Sequence, residues 1–321
     1  MTINELIKKI SSLPNENQLL LLKAALFKND QAIKAWSTWC VNVDYEDIDE
    51  DSYKLYPLVY QNLMDLGVSM SPKLEKFKGT YRYHWSYTNH LFQQSKPVIT
   101  ALVDANIPVL MVKGATLAIH YYKTLATRPI KKVDIMIPFD KIKSATQILQ
   151  QSGYLTQNNH IFKNNNSVNI HLHTYLRPQN QQPQAQKVYW EKAEILSFQS
   201  LPIFILCPTD MLFHTLIDGI YNNANLYRWI ADAYFILEKT TINWERLILN
   251  ASRNQVSIAT ATALTYLQSH FTPSIPAWAI EKLKMSTKST YFQKRELIIS
   301  TRKNKSIHCR MILHMFRYLR K

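Results

Sequence analysis

A chain of 321 residues has room for about two domains. Its 46% hydrophobic and 19% charged residues exclude a disordered tail protein, and its five glycines exclude Gly-rich dinucleotide loops, β-propellers and fibrous repeats. The formal charge of +15 is uneven: residues 281–321 carry twelve Lys or Arg against two acids, a net +10, whereas Asp44, Glu46, Asp47, Asp49, Glu50 and Asp51 form an acidic cluster near the other end.

That asymmetry fits a polyanion partner or a solvated basic face. Cys40, Cys207 and Cys309 are odd in number and widely spaced, which argues against a disulfide framework or a paired metal knuckle and for a reducing compartment. The N-terminal residues lack a basic region followed by an apolar stretch and a cleavage site, and no run of about 18 apolar residues occurs. A soluble, cytoplasmic protein is the expectation.

In chain order, residues 3–35 read as helices, with Leu6, Ile7, Ile10 and Leu13, then Leu19, Leu20, Leu22, Ala25 and Leu26, at three- and four-residue spacing broken at Pro14. The segment LYPLVYQNLMDLGV reads as a short amphipathic helix ending at Gly67, and a long helix is expected from about Leu74 to Ala105. Within the latter, Arg82 to His90 interleaves bases and aromatics, a composition shared by single-strand binders and by packed helices.

The pattern then changes. Ile107 to Gly114 reads as a buried strand closed by glycine, followed by the helix ATLAIHYY. Val133 to Pro138 reads as a second strand, FDKIKSATQILQQSGY as a helix, and Ser167 to Tyr175 as a third strand with period-2 alternation. From Pro208 the chain is helical again, with Thr209 and Asp210 at the head of one helix and RWIADAYFILEK (Arg228 to Lys239) as another. At the C-terminus, Ile307, Met311, Ile312, Met315, Phe316 and Leu319 share one side of a helix bearing Arg310, Arg317, Arg320 and Lys321. Such a helix packs on its own domain or meets a nucleic acid or anionic surface.

A glycine after a buried strand lets backbone N–H groups approach an anion at a helix N-terminus. Lys113, Gly114, Ala115 and Thr116 fit that arrangement and equally fit a tight strand-to-helix turn. Strand periodicity puts Lys132 and Asp134 on one face, and Asn169, His171 and His173 on one face. If the strands are neighbours, these five residues converge. Two imidazoles at i, i+2 are able to bind a metal, pack or face solvent.

In their order, LYPLVYQNL, ANIPVLMVKGATLAIHYY, RPIKKVDIMIP, NIHLH and RWIADAYFIL resemble a bacterial family of uncharacterised nucleotidyltransferase-like proteins within the polymerase-β superfamily. The resemblance runs from about Leu55 to Leu237. It implies an α+β fold, a small mixed sheet wrapped by N- and C-terminal helices. It also implies a glycine turn that holds a triphosphate, and an Asp-x-Asp pair with a third carboxylate that hold two divalent cations. In-line attack at phosphorus builds charge on both the attacking and leaving oxygens, which paired metals stabilise.

Here the first Asp of the pair falls on Lys132 and the third carboxylate on Asn169; Asp134 alone remains. An ammonium about 4 Å from a divalent ion repels it by about 8 kcal/mol at an effective dielectric near 20. Nearby Asp140, beyond Pro138, does not repair the motif. Lys132 would instead stand where a metal would, keeping anion affinity without metal.

The resemblance therefore implies a degenerate member that binds a nucleotide or other phosphate-bearing ligand through Lys113, Gly114, Thr116, Arg128 and Lys132. Asp134 would be catalytic and metal-binding, with Mg²⁺, only in an active enzyme that moves a nucleoside monophosphate to a small molecule or protein. Asn169, His171 and Asp232 would support the site; Arg128 also suits a pair with Asp134, His171 also suits packing, and Asp232, near Trp229, also suits a structural ion pair or cap. A third reading is a basic scaffold acting through its C-terminal helix. The expected regions are 1–95, helical; 96–200, the α/β core; and 201–321, helical with a basic tail.

Overall fold

A computed structural model describes residues 1–10, 13–44, 49–158, 160–176, 183–221, 227–285 and 290–301. The chain divides into two compact units, one of Met1–Tyr53 with Met211–Lys321 and one of Lys54–Asp210. The architecture is α+β, a mixed sheet among many helices. No described helix is long and apolar enough to cross a membrane. The expected C-terminal amphipathic helix lies outside the described residues.

The unit of residues 54–210 is built on seven strands: β1 (Leu110–Val112), β2 (Val133–Met136), β3 (Leu155–Asn158), β4 (Ile161–Lys163), β5 (Asn169–His173), β6 (Glu194–Phe198) and β7 (Leu201–Ile205). Their order is β3-β4-β5-β2-β1-β7-β6. β2 runs parallel to β5 and antiparallel to β1, and β1 runs parallel to β7. The sheet is thus mixed, as expected, but extends past residue 200. The strands at 107–114, 133–138 and 167–175 are present and shorter than the expected runs.

Pleating sorts the central strands into two faces. Val133, Ile135, Ile137, Ile170 and Leu172 join Val109, Met111, Ile203 and Ile205 in one apolar cluster. Against it packs the helix Pro72–Asp104 through Leu91, Phe92, Val98, Ile99 and Leu102, and the helix Ile142–Gln151 through Ala145 and Leu149. Asp134, His171 and His173 occupy the alternate positions.

The long helix starts where its chemistry says it should. The Ser71 side chain accepts from the Leu74 N–H, Pro72 fills the first turn and Glu75 meets the positive end of the helix dipole. Pro97 sits inside it on the exposed side. The helix runs through residue 95, so the expected boundary between 95 and 96 falls within a single element. The segment Arg82 to His90 is part of this helix: Tyr83 and Trp85 are exposed, while His84 and Thr88 are buried.

The other unit is helical. The helices Glu16–Leu26 and Asp30–Asn42 open with Asn15 and Asn29 caps, and Trp36 and Trp39 stack 5.5 Å apart. The Tyr227 hydroxyl donates to Asp49 Oδ1 at 2.9 Å and lies 2.7 Å from the Ser52 hydroxyl, tying the short helix Glu50–Tyr53 to the chain just before Arg228–Lys239. Trp229 packs directly on Gly219, which leaves no room for a side chain at that position.

The apolar face of β2 fixes the position of Asp134 beside it. Ile135 is fully buried in the core cluster. Ile135→Ala leaves a cavity there and is expected to cost about 2–5 kcal/mol, read from urea denaturation followed by circular dichroism.

Candidate functional site

Four nitrogen-bearing side chains from three segments gather around one buried carboxylate. Asp134 sits on β2 paired with Val112 of β1 and with His171 of β5. Residues opposed across a ladder share a face, so the parallel register that pairs Asp134 with His171 and Met136 with His173 sends both imidazoles to the Asp134 side. β5 shows the matching alternation, with Ile170 and Leu172 buried and Asn169, His171 and His173 half-buried.

The distances converge on a single oxygen. Asp134 Oδ1 lies 2.8 Å from His173 Nε2, 3.5 Å from Lys132 Nζ, 3.8 Å from His171 Nδ1 and 3.9 Å from Lys113 Nζ. Lys132 Nζ also lies 2.8 Å from His171 Nδ1. An ammonium has only donors, so it donates there and His171 Nδ1 accepts, which puts the proton of a neutral ring on Nε2.

Burial alone would push the Asp134 carboxyl up. The His173 hydrogen bond and the Lys113 and Lys132 ammonium groups outweigh it and hold the carboxyl below its ordinary 3.8. His171 is lowered too, which for a base favours the neutral form: burial first, then the Lys132 charge, bring it from 6.5 to about 4 against the opposing pull of Asp134. At neutral pH the cluster therefore holds one carboxylate, one neutral His171 and two ammonium groups, a surplus of positive charge before His173 is considered.

Lys113 reaches this point by an unusual backbone. It is the first residue of the helix Lys113–His120 and has φ +58°, a left-handed conformation that costs an L-residue about 1–2 kcal/mol. The conformation turns β1 directly into the helix and directs the ammonium to Asp134. No side chain caps this helix at its N-terminus. Gly114 follows in a tight space: a Cβ there would lie 2.7 Å from Arg128 Nη1 and 3.2 Å from Ile130 Cγ2, so a side chain would have to push the buried Arg128 aside.

Arg128 itself is buried and packs its guanidinium against Gly114. Thr116 is fully buried and donates its hydroxyl to the Met111 carbonyl at 2.7 Å, so that hydroxyl is engaged inside the strand–helix turn. Asn169 lies next to the parallel partner of Val133, on the same face of β5 as the histidines. Asp232 and Trp229, both buried on the helix Arg228–Lys239, belong to the other unit. His173 is the site member that motif comparison passes over. Its signal was the i, i+2 spacing with His171 on an alternating strand.

Asp134, His171 and His173 place one ligand atom each within 4.8 Å of one another. The donor set of one oxygen and two imidazole nitrogens does not suit Mg²⁺, which requires oxygen ligands. Lys132 already spans His171 and Asp134 with a charge of its own. The residues present do not fit a two-magnesium centre.

The family model described as "Uncharacterised nucleotidyltransferase" matches residues 51–272. A search of curated proteins finds no match. Among solved structures, an antigenic nucleotidyltransferase-like protein from Paracoccidioides brasiliensis is similar, with 16% identity and a TM-score of 0.45 over 61% of this chain and 94% of the other.

The neutral His171 links the cluster to stability. Unfolded, this imidazole gains its proton below pH 6.5; folded, it stays neutral down to about 4. Between those values the unfolded state binds more protons, so stability falls as the pH falls. His171→Gln is expected to reduce the slope of unfolding free energy against pH in that window and to leave it unchanged above pH 7, measured by denaturant melts at half-unit pH steps.

Proposed function

The chain belongs to the family of uncharacterised nucleotidyltransferases, and on that premise we propose that it is a degenerate member whose β2–β5 pocket binds a nucleotide or another phosphate-bearing ligand without metal, with weak or no transfer. The observation that carries this reading is the place of Lys132, whose ammonium donates to His171 Nδ1 at 2.8 Å and sits 3.5 Å from Asp134 Oδ1. A divalent ion would need that space, and the fixed charge there repels it.

The chemistry offered instead suits a phosphate. Lys113 makes an ion contact at 3.9 Å, too long for a hydrogen bond, so its N–H groups are available to an anion beside Asp134. The uncapped start of the helix Lys113–His120 presents backbone N–H groups and the positive end of its dipole at the same turn. Gly114 lets the Arg128 guanidinium pack close against that turn. Asp134 supplies the counter-charge that keeps the two ammonium groups together; metal ions would supply charge stabilisation at both reacting oxygens in an active homologue.

Titration calorimetry with nucleoside triphosphates is expected to give the same affinity in EDTA as in magnesium. Lys113→Ala and Lys132→Ala should each weaken binding about tenfold or more, the equivalent of one charge-assisted hydrogen bond. Absence of nucleotide binding under both conditions overturns the reading. The converse substitution tests the seat of the metal: Lys132→Asp combined with Asn169→Asp rebuilds three carboxylates on one face and should make nucleotide binding depend on magnesium, abolished by EDTA.

A further inference from the structure

The pocket contains one nitrogen base that nothing else uses. His171 Nδ1 accepts from Lys132, which leaves its other nitrogen as a donor. His173 differs. Its Nε2 lies 2.8 Å from Asp134 Oδ1, a carboxylate oxygen that also faces the Lys132 and Lys113 ammonium groups and so acts as an acceptor; Nε2 therefore carries the proton and donates it. The lone pair of a neutral His173 is therefore on Nδ1, which makes no hydrogen bond among the described residues. The side chain is one fifth exposed, so the ring is within reach of solvent.

An imidazole whose far nitrogen is bonded to a buried carboxylate is the arrangement that enhances basicity and fixes the tautomer at the near nitrogen. Two ammonium groups lie within 4 Å of the same carboxylate oxygen, Lys132 at 3.5 Å and Lys113 at 3.9 Å. The positive charge gathers around the carboxylate that holds the ring, and charge of that sign stabilises phosphoryl oxygens and a departing pyrophosphate.

We propose that His173 is a nucleophile that takes a nucleotidyl group from a nucleoside triphosphate without metal. The inference rests on the phosphate-binding reading of the same pocket. The Nδ1 electron pair attacks the α-phosphorus, a P–N bond forms, and the P–O bond to the β-phosphate breaks with its electron pair going to pyrophosphate. Asp134 keeps its hydrogen bond to Nε2–H and balances the positive charge that develops on the ring. Lys113 and Lys132 take up the charge on the phosphoryl oxygens and on the leaving pyrophosphate. The product is a nucleotidyl-histidine, ready for an acceptor hydroxyl, amine or water.

The test uses the full chain, EDTA, and ATP, GTP, CTP and UTP labelled at either the α- or the γ-phosphorus. The expected result is protein-bound label from the α-position alone, stable to base and lost in mild acid as a P–N bond is. Peptide mapping of the wild-type adduct should place it on His173 rather than His171. His173→Gln should remove the label, and Asp134→Asn should slow its appearance by at least about tenfold, as expected when an oriented acid–base partner is lost. Mapping on the wild-type protein decides the matter even if either variant fails to fold.

Calorimetry run on the same samples separates the two levels of the argument. Nucleotide bound without covalent label overturns the nucleophile and leaves the binding site standing. Label from the γ-position alone, or label on another residue, overturns it as well. No nucleotide bound overturns both.

Discussion

A carboxylate buried on a central strand must find positive charge or protonate, and the architecture around Asp134 follows from that constraint. An ionised group removed from water loses several kcal/mol of solvation, which only close donors offset. Here the donors come from three separate stretches: the end of β1 gives Lys113, the residue before β2 gives Lys132, and β5 gives His171 and His173. They meet only because β2 lies between β1 and β5 in the sheet. A different strand order would scatter Lys113, His171 and His173 and leave Asp134 with Lys132 alone. The electrostatics therefore depend on topology, and the topology on the apolar cluster beneath, since Ile135 and Ile170 hold the two strands flat against the helix Pro72–Asp104.

The same dependence explains what could be read in advance. β1, β2 and β5 are legible because each is a compact run of apolar or alternating residues; period 2 puts Lys132 with Asp134 on one face and Asn169, His171 and His173 on one face of β5, and only the pairing of β2 with β5 brings the five together. The strand pairs at the sheet edges were not. β3 is the polar run LTQN, fully exposed. β6 and β7 form a hairpin whose two turn residues are Gln199 and Ser200, at φ +48° and +71°. Such a turn ordinarily announces itself with Asn-Gly or Asp-Gly, and here that signal is missing. Pro202 within β7 further disguises it as loop.

The site itself was legible at the level of residue type and opaque at the level of contact. The Lys-Gly step suited an anion-binding turn and a plain strand-to-helix turn equally, and nothing in the sequence says that Lys113 adopts a left-handed backbone and sends its ammonium to Asp134. Thr116 shows the opposite limit. A hydroxyl three residues into a candidate phosphate turn invites a ligand, whereas its hydrogen bond to the Met111 carbonyl gives it a role in holding β1 to the helix. Arg128 similarly combines both possibilities in one side chain, buried under Gly114 and defining how closely anything can approach that glycine.

On the proposed reading Lys132 takes the place of a metal, and what that does chemically is a matter of charge and geometry together. A divalent ion carries twice the charge and binds several oxygens at once, so it can hold attacking and leaving groups in line. An ammonium carries half that charge on a flexible stem and reaches each oxygen by a single hydrogen bond. It is, however, covalently present, so it needs no ion from solution and persists where chelators strip metals. Such a pocket should retain affinity for phosphate better than it retains speed. On that reading the loss would fall most heavily on activation of an incoming acceptor, since a lysine cannot lower the pKa of a bound hydroxyl as a metal does. Any chemistry that survives must begin from a nucleophile that needs no such activation, and among the described residues of this cluster an imidazole hydrogen-bonded to a buried carboxylate meets that requirement.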